Sequence, residues 1–291
     1  MILPLVLSGY HGKVVVHACV VGLLALSWEL LASCGLFSLG QSLFFGVGAY
    51  LAGAMDKYLH LPIWVTIPVA TLGGGALCAL LLAPVVRLRG VYFAMVTLML
   101  PILFKQIIEA WGILGGTHGL SGLTPFPNEW LDKYLIIVAF IAVLFGLRSL
   151  ITSDYGLVLK AIADDDRAVM SAGINIYSRK VQALFIAGSV ASFAGAFITH
   201  HYQFAGFSVF ALDWAILPLA AAAVGGTGSF AGAALGSMIL VPLSEGLRAM
   251  GGLRMAIYCG ILVFAVLALP EGIFRFLERK YQEFETVIEV K

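Results

Sequence analysis

The chain has 291 residues, 61% apolar and 11% charged, with a mean hydropathy of +1.00 and a formal net charge of +1. A water-soluble domain carries about 25% charged residues to cover its surface, so most of this surface faces lipid. A secreted domain and a soluble enzyme are excluded, and the near-neutral charge offers no basic excess for a nucleic acid.

At roughly 20 residues per crossing, the apolar windows fall at 14–32, 37–55, 62–86, 91–114, 134–151, 181–200, 212–247 and 255–277. A spanning backbone must satisfy its own hydrogen bonds, and no window shows the alternation of a barrel strand. The expected fold is an all-α polytopic membrane protein, one domain over residues 1–291, with about eight transmembrane or re-entrant helices. The first run lacks a convincing cleavage site and is expected to stay as an anchor. Cys19, Cys34, Cys78 and Cys259 stand far apart in apolar runs without metal-ligand spacing, which predicts buried, helix-packing thiols.

Two windows are interrupted by polar and glycine residues. Gly35-Leu36-Phe37-Ser38-Leu39-Gly40-Gln41-Ser42 opens the second, and Gly225-Gly226-Thr227-Gly228-Ser229 divides the seventh. Such segments are tolerated at membrane depth only against protein or a cavity. The glycines at 73–75 and 115–116 suit close helix packing or a helix break. Charges in or near spans are Glu29, Lys105, Glu109, Asp213 and Glu245. Lys105 and Glu109 are one turn apart and able to pair, Glu245 lies near Arg248, and Glu29 has no local partner. His200 and His201 close the sixth window, where snorkelling to the interface is expected, and His118 lies in an exposed loop over 115–133.

The longest polar stretch, 152–180, repeats Val158, Leu159, Ile162 and Val169 at helical spacing beside Ala168 and Ala172, with Gly173 as a stop. It reads as a short amphipathic helix, either an interfacial cap or a docking element. Lys and Arg concentrate at 87–89, 148–180 and 275–280, so these loops and the C-terminal tail, 275–291, are expected inside. Residues 212–247 then begin and end outside, as two passes or a re-entrant hairpin. Lys13 is inside if 37–55 re-enters and outside if it spans.

No G-x-x-x-x-G-K-[ST], H-E-x-x-H or G-x-S-x-G occurs, and no ladder of acids and histidines crosses the apolar windows. The residues alone therefore describe a non-catalytic, polytopic protein that borrows its energy. A stand-alone gradient-driven carrier or facilitator is the alternative, and a scaffold without a pathway a third.

Several stretches carry a family resemblance. They are Leu39-Gly40-Gln41 through Phe45-Gly46-Val47-Gly48-Ala49-Tyr50; Arg87-Leu88-Arg89-Gly90-Val91-Tyr92-Phe93-Ala94 through Thr97-Leu98; Gly115-Gly116-Thr117-His118-Gly119-Leu120; Ser153-Asp154-Tyr155-Gly156 through Gly173-Ile174; and Gly225 to Ser229, Gly232 and Leu269-Pro270-Glu271-Gly272. Together they resemble the LivM-type permease of branched-chain amino acid ABC importers over nearly the whole chain. Gln41 stands where that family more often has His, and Ala163 and Val169 replace charged residues.

The resemblance implies a permease subunit of the bacterial inner membrane working by ATP-driven alternating access. Its partners would be a second LivH-like permease subunit or a copy of itself, two ABC ATPase subunits that bind ATP and Mg, and an extracytoplasmic solute-binding protein. The solute would be a branched-chain amino acid or a related urea, amide or carboxylate. It further implies that the helix over 152–173, within the 152–180 loop, docks in the ATPase, with Ala161, Asp164, Asp166, Arg167 and Gly173 as the coupling set. For the substrate pathway, the hydroxyl, amide and glycine positions near the breaks are Ser38, Gln41, Ser42, Thr97, Gly116, Thr117 and Thr227.

Overall fold

The computed structural model describes residues 9–88 and 90–247, with 260, 263, 272 and 274. The apolar window at 255–277 and the basic tail fall largely outside these residues, as do Arg89, Arg248, Cys259 and the Leu269 to Glu271 part of the closing motif.

Among the described residues the chain forms α1 (Gly9–Ala32), α2 (Gln41–Leu59), α3 (Ile63–Leu82), α4 (Val91–Trp111), α5 (Glu129–Thr152), α6 (Asp154–Asp164), α7 (Asp166–Ser171), α8 (Ile176–Tyr202), α9 (Asp213–Gly225) and α10 (Phe230–Gly246). A two-residue antiparallel pairing, Leu120–Ser121 with Phe204–Ala205, ties the loop after α4 to the end of α8.

Local sequence explains the ends. Asn128 caps α5, Asn175 caps α8 and Ser229 caps α10, each side chain accepting a first-turn N–H. Helix α1 stops in a Schellman turn: Gly35 takes φ +74°, Leu36 N–H donates to Leu31 O at 3.0 Å, and Gly35 N–H donates to Ala32 O at 3.0 Å.

Five helices, α1, α3, α4, α5 and α8, are long and apolar enough to cross a membrane, and the bent pair α9 and α10 brings the number to at most six. Of the remaining windows behind the expected eight, 37–55 holds α2, which is left out of that set, and 255–277 is largely undescribed.

Helix α1 is the centre of the bundle. Its residues 18–31 are all buried, and α5, α8, α9 and α10 surround it. Helices α2, α3 and α8 form a second packed group, in which small residues permit close approach: a Cβ on Gly195 of α8 would strike Phe45 O of α2, and one on Gly48 of α2 would strike the backbone of Ser192. Gly74 and Gly75 of α3 meet Ser192 and Ser189 in the same way, so this glycine run serves packing.

The bundle has two distinct ends. Gly35, Leu88, Gly90, Asp164 to Arg167 and Lys180 share one; Gly9, Lys13, Glu129, Lys133, His201 and Gln203 share the other. From Gly35 at the first end the chain passes through 36–40 to α2, which begins level with Ala187 midway along α8 and reaches the second end, where Asp56 accepts from Thr124 N–H and Oγ1, both at 2.7 Å. Residues 37–55 therefore traverse the bundle rather than turn back, and Lys13 lies opposite α6 and α7. Helices α9 and α10 meet at 116°, and their outer residues Asp213 and Glu245 line one cavity with Tyr10 and Tyr202. The pair thus enters and leaves at the same end.

Cys19, Cys34 and Cys78 are buried, as expected. In the turn after α1, burial pushes the Cys34 thiol up to about 12, so it stays protonated at neutral pH. In a chain carrying Cys259→Ser, a maleimide added to native membranes at pH 7.5 is expected to leave all three thiols unlabelled within minutes, while detergent denaturation exposes them. Rapid native labelling, read by mass spectrometry, would contradict this packing.

Candidate functional site

Both helix breaks rest on three consecutive residues of α1. The non-helical stretch 36–40 precedes α2, and Gly226 to Ser229 separates α9 from α10, with φ +112° at Gly226 and +87° at Gly228. Those positive angles suit glycine. The Ser27 hydroxyl donates to Ala187 O at 2.8 Å and lies 3.2 Å from the side-chain amide of Gln41. Trp28 Nε1 donates to Ser38 O at 2.8 Å. Glu29, 2% exposed, accepts from Gly228 N–H. One buried turn of α1 thus grips the first break with Ser27 and Trp28 and the second with Glu29.

Helix α4 closes the other side of the first break. Thr97 Oγ1 donates to Ala94 O at 2.9 Å and accepts Leu39 N–H at 3.1 Å. Gly40 fits because a Cβ there would lie 2.7 Å from Thr97 O. Ser38 Oγ accepts Gly40 N–H at 3.1 Å. Gln41 Nε2 is buried without a hydrogen-bond partner. A buried amide with bonding capacity to spare is costly unless something meets it.

Of the expected pathway residues, Ser38, Gln41, Ser42 and Thr97 converge here, all fully or almost fully buried. Thr227 lies in the second break, exposed, beside the Gly228 that Glu29 holds. Gly116 and Thr117 do not join them. They follow α4 in the irregular turn Ile113–His118, next to Leu120, whose strand packs at the Lys13 end. Ser27 and Trp28 went unnoticed in the sequence, although three polar or hydrogen-bonding side chains in succession, Ser27-Trp28-Glu29, interrupt an apolar run.

The other charged and histidine positions divide differently from expectation. Among the described residues no ion pair joins Lys105 to Glu109; Lys105 Nζ sits 5.7 Å above the Phe207 ring instead. His200 does not snorkel. It is fully buried, with Nε2 2.9 Å from Thr66 Oγ1 and Nδ1 3.0 Å from Thr124 O. His201 meets Asp132 Oδ2 at 2.6 Å, joining the ends of α8 and α5. Hydroxyls and carbonyls distant in sequence supply these partners, so spacing did not reveal them. Glu29, without a partner nearby in sequence, meets the protein's own second break, and Glu245 accepts from the Tyr10 hydroxyl at 3.3 Å.

At the opposite end, the single amphipathic helix expected over 152–173 is two. Asp165 breaks it by capping α7, its Oδ1 accepting from Arg167 N–H at 2.8 Å and Ala168 N–H at 3.4 Å. Leu159, Ile162 and Val169 are buried as the periodicity requires. Ala161, Asp164, Arg167 and Gly173 are exposed, whereas Asp166 is half-buried and paired with Lys180 at 3.4 Å. Gly173 takes φ +79° in the turn out of α7, with open space within this chain where a Cβ would stand. Asp164 to Arg167 line a polar recess of about 290 Å3 with Gly35, which directly follows the α1 stop. Tyr155 of α6 donates to Arg179 O at 3.4 Å, and burial pushes its phenol up to about 12.

Comparison with known proteins bears on this arrangement. A family model described as "Branched-chain amino acid transport system / permease component" matches residues 11–269. The chain is 28% identical over 270 residues to the high-affinity branched-chain amino acid transport system permease proteins LivM of Escherichia coli K12 and Salmonella typhimurium LT2, covering 82% of this chain and 64% of each relative. It is 26% identical over 137 residues to a probable LivM permease of Methanocaldococcus jannaschii, covering 44% and 39%. The chain therefore spans somewhat under two thirds of the length of the two bacterial relatives. No solved structure matches it.

Proposed function

Because the chain belongs to the family of permease components of branched-chain amino acid transport systems, we propose that it is a permease subunit of an ATP-binding-cassette importer. It forms one wall of a translocation pathway for branched-chain amino acids or a related small polar or carboxylate solute. The observation that carries this reading is the shared grip of Ser27, Trp28 and Glu29 on both breaks. A pathway that opens alternately to two sides needs segments whose positions change together, and one rigid helix turn bonded to both supplies that linkage. Backbone groups freed at the breaks, with the spare capacity of the Gln41 amide, offer polar contacts to a solute.

Energy comes from outside the chain. Two ABC ATPase subunits bind ATP and Mg, an extracytoplasmic solute-binding protein delivers the solute, and a second LivH-like permease subunit or a copy of this one forms the other wall. The end bearing α6 and α7 faces the cytoplasm, because Arg87, Arg148, Lys160, Arg167 and Arg179 gather there. The protein then resides in the bacterial inner membrane with its C-terminus inside. Helices α6 and α7 enter the ATPase, with Ala161, Asp164 and Arg167 on the exposed surface and the Asp166 and Lys180 pair fixing α7 to α8.

Two measurements on the assembled transporter test this reading. Gln41→Leu and Thr97→Leu are each expected to lower solute uptake at least about tenfold, the cost of one unpaired buried polar group, with basal ATP hydrolysis retained. The double reversal Asp166→Lys with Arg167→Glu is expected to leave ATP hydrolysis running while uptake stops. Normal uptake in the leucine variants would remove the breaks from the pathway, and normal coupling in the reversal would remove α7 from the docking surface.

A further inference from the structure

An apolar groove opens on the outside of the bundle at the α6 and α7 end. It holds about 600 Å3, and its walls are almost free of polar surface. Ala76, Ala79 and Ala83, successive turns along and just beyond α3, form its floor; Phe185 of α8 and Leu150 of α5 form its sides. The three alanines make the recess, since any larger residue at those turns would fill it. Outward of it α3 presents an apolar face to its surroundings, with Leu72, Leu77 and Leu80 all exposed, as expected of a surface in contact with hydrocarbon.

One end of this groove is cationic. Tyr155 and Gln182 close it, and both hold Arg179: the guanidinium carbon lies 5.7 Å from the centre of the Tyr155 ring, and Nη1 donates to Gln182 Oε1 at 3.2 Å. Arg87, which follows Ala83 by four residues, stacks over Tyr177 at 5.6 Å. Among the described residues no carboxylate pairs with either guanidinium. Arg179, held by two of the lining residues, and Arg87, one turn beyond Ala83, give this side of an apolar-walled recess the polarity of a phospholipid: charge at one end, hydrocarbon along the rest.

We propose that this groove binds one anionic phospholipid from the leaflet on the α6 and α7 side, an acyl chain lying along the three alanines and the phosphate on Arg179 and Arg87. A helix of a second subunit is a poorer match, because it would need an acidic group placed at its very end to answer both arginines. The occupied groove would brace α3, α5 and α8 against one another where α6 leaves the membrane.

The test uses the full chain, reconstituted in nanodiscs of equal phosphatidylglycerol and phosphatidylcholine, extracted into mild detergent and examined by native mass spectrometry. Wild type is expected to retain one phosphatidylglycerol in clear preference to phosphatidylcholine. Arg179→Ala should reduce that retention about five- to tenfold, as loss of one cation near a charged headgroup implies. Gln182→Glu should do the same by pairing with Arg179, and it disturbs neither packing nor volume. Ala79→Phe should expel both lipids by filling the floor, with an unchanged gel-filtration profile as the check on folding.

Equal retention of the two lipids, or retention indifferent to Gln182→Glu and Arg179→Ala, overturns the headgroup assignment. Retention indifferent to a folded Ala79→Phe chain overturns the groove. Disulfide formation between two chains carrying Leu80→Cys, with no lipid retained, would show that a second copy covers this face and would overturn the proposal. None of these readouts depends on the transport activity proposed above.

Discussion

Glu29→Leu is expected to lower solute uptake by the assembled transporter by about two orders of magnitude. The carboxylate is buried near the C-terminal end of α1 and accepts from Gly228 N–H in the second break. Leaving a buried donor without its acceptor costs about 1–3 kcal/mol, and 3 kcal/mol is a factor of somewhat over 100. Leucine has similar volume, so packing survives while the amide loses its acceptor and the break loses its tie to α1. Glu29→Gln retains a carbonyl acceptor and should keep most of the activity. Initial rates of labelled solute uptake, normalised to the amount of chain in the membrane, measure both. Full uptake by the leucine variant would mean that the second break switches without help from α1.

The second large effect is structural. Gly195→Val is expected to destabilise the folded chain by about 3 kcal/mol or more, the upper range for forcing atoms into a filled site. Its Cβ would strike Phe45 O and lie 2.9 Å from Ala49 N. These are backbone atoms, so no side chain can turn aside, and α2 would have to move away from α8. Gly73→Ala is the matched control, because the nearest atom to its new methyl is Leu51 Cδ1 at 3.9 Å. Fluorescence-detected gel filtration after heating should show an early loss of the Gly195→Val chain and a wild-type midpoint for Gly73→Ala. Equal midpoints for the two would show that the α2 and α8 crossing carries little of the stability.

Apolar periodicity reveals the spans because a membrane helix must be apolar along its length whatever it packs against. Thus 62–86, 91–114, 134–151 and 181–200 each contain one helix displaced by a few residues. The breaks were visible for the same reason: Ser38, Gln41 and Gly225 to Ser229 are out of place in hydrocarbon. Partners were not visible. Ser27 meets Ala187 160 residues away, and His200 meets Thr66 and Thr124 at 134 and 76. No local spacing encodes such meetings. The placement of Gly116 and Thr117 shows the opposite limit: their residue types resemble those at the breaks, but α4 carries them to the far end of the bundle. Asp165 was hidden because Asp164-Asp165-Asp166 presents three equivalent caps, and tertiary packing of Ile162 and Val169 selects among them.

The grip of α1 on the second break has a consequence for how the protein is made. Helix α1 is made before α9 and α10, and an amide that Glu29 accepts from lies 199 residues later. At about 5–20 residues per second, synthesis of that interval takes some 10 to 40 s. Throughout it, the bond between the second break and an acidic side chain that is costly in hydrocarbon cannot form. The first hairpin forms early, since Trp28 and Ser38 are only ten residues apart, but the bundle cannot close around α1 until α9 and the turn after it arrive. The packing around α1 is therefore completed only after α9 and α10 have been made.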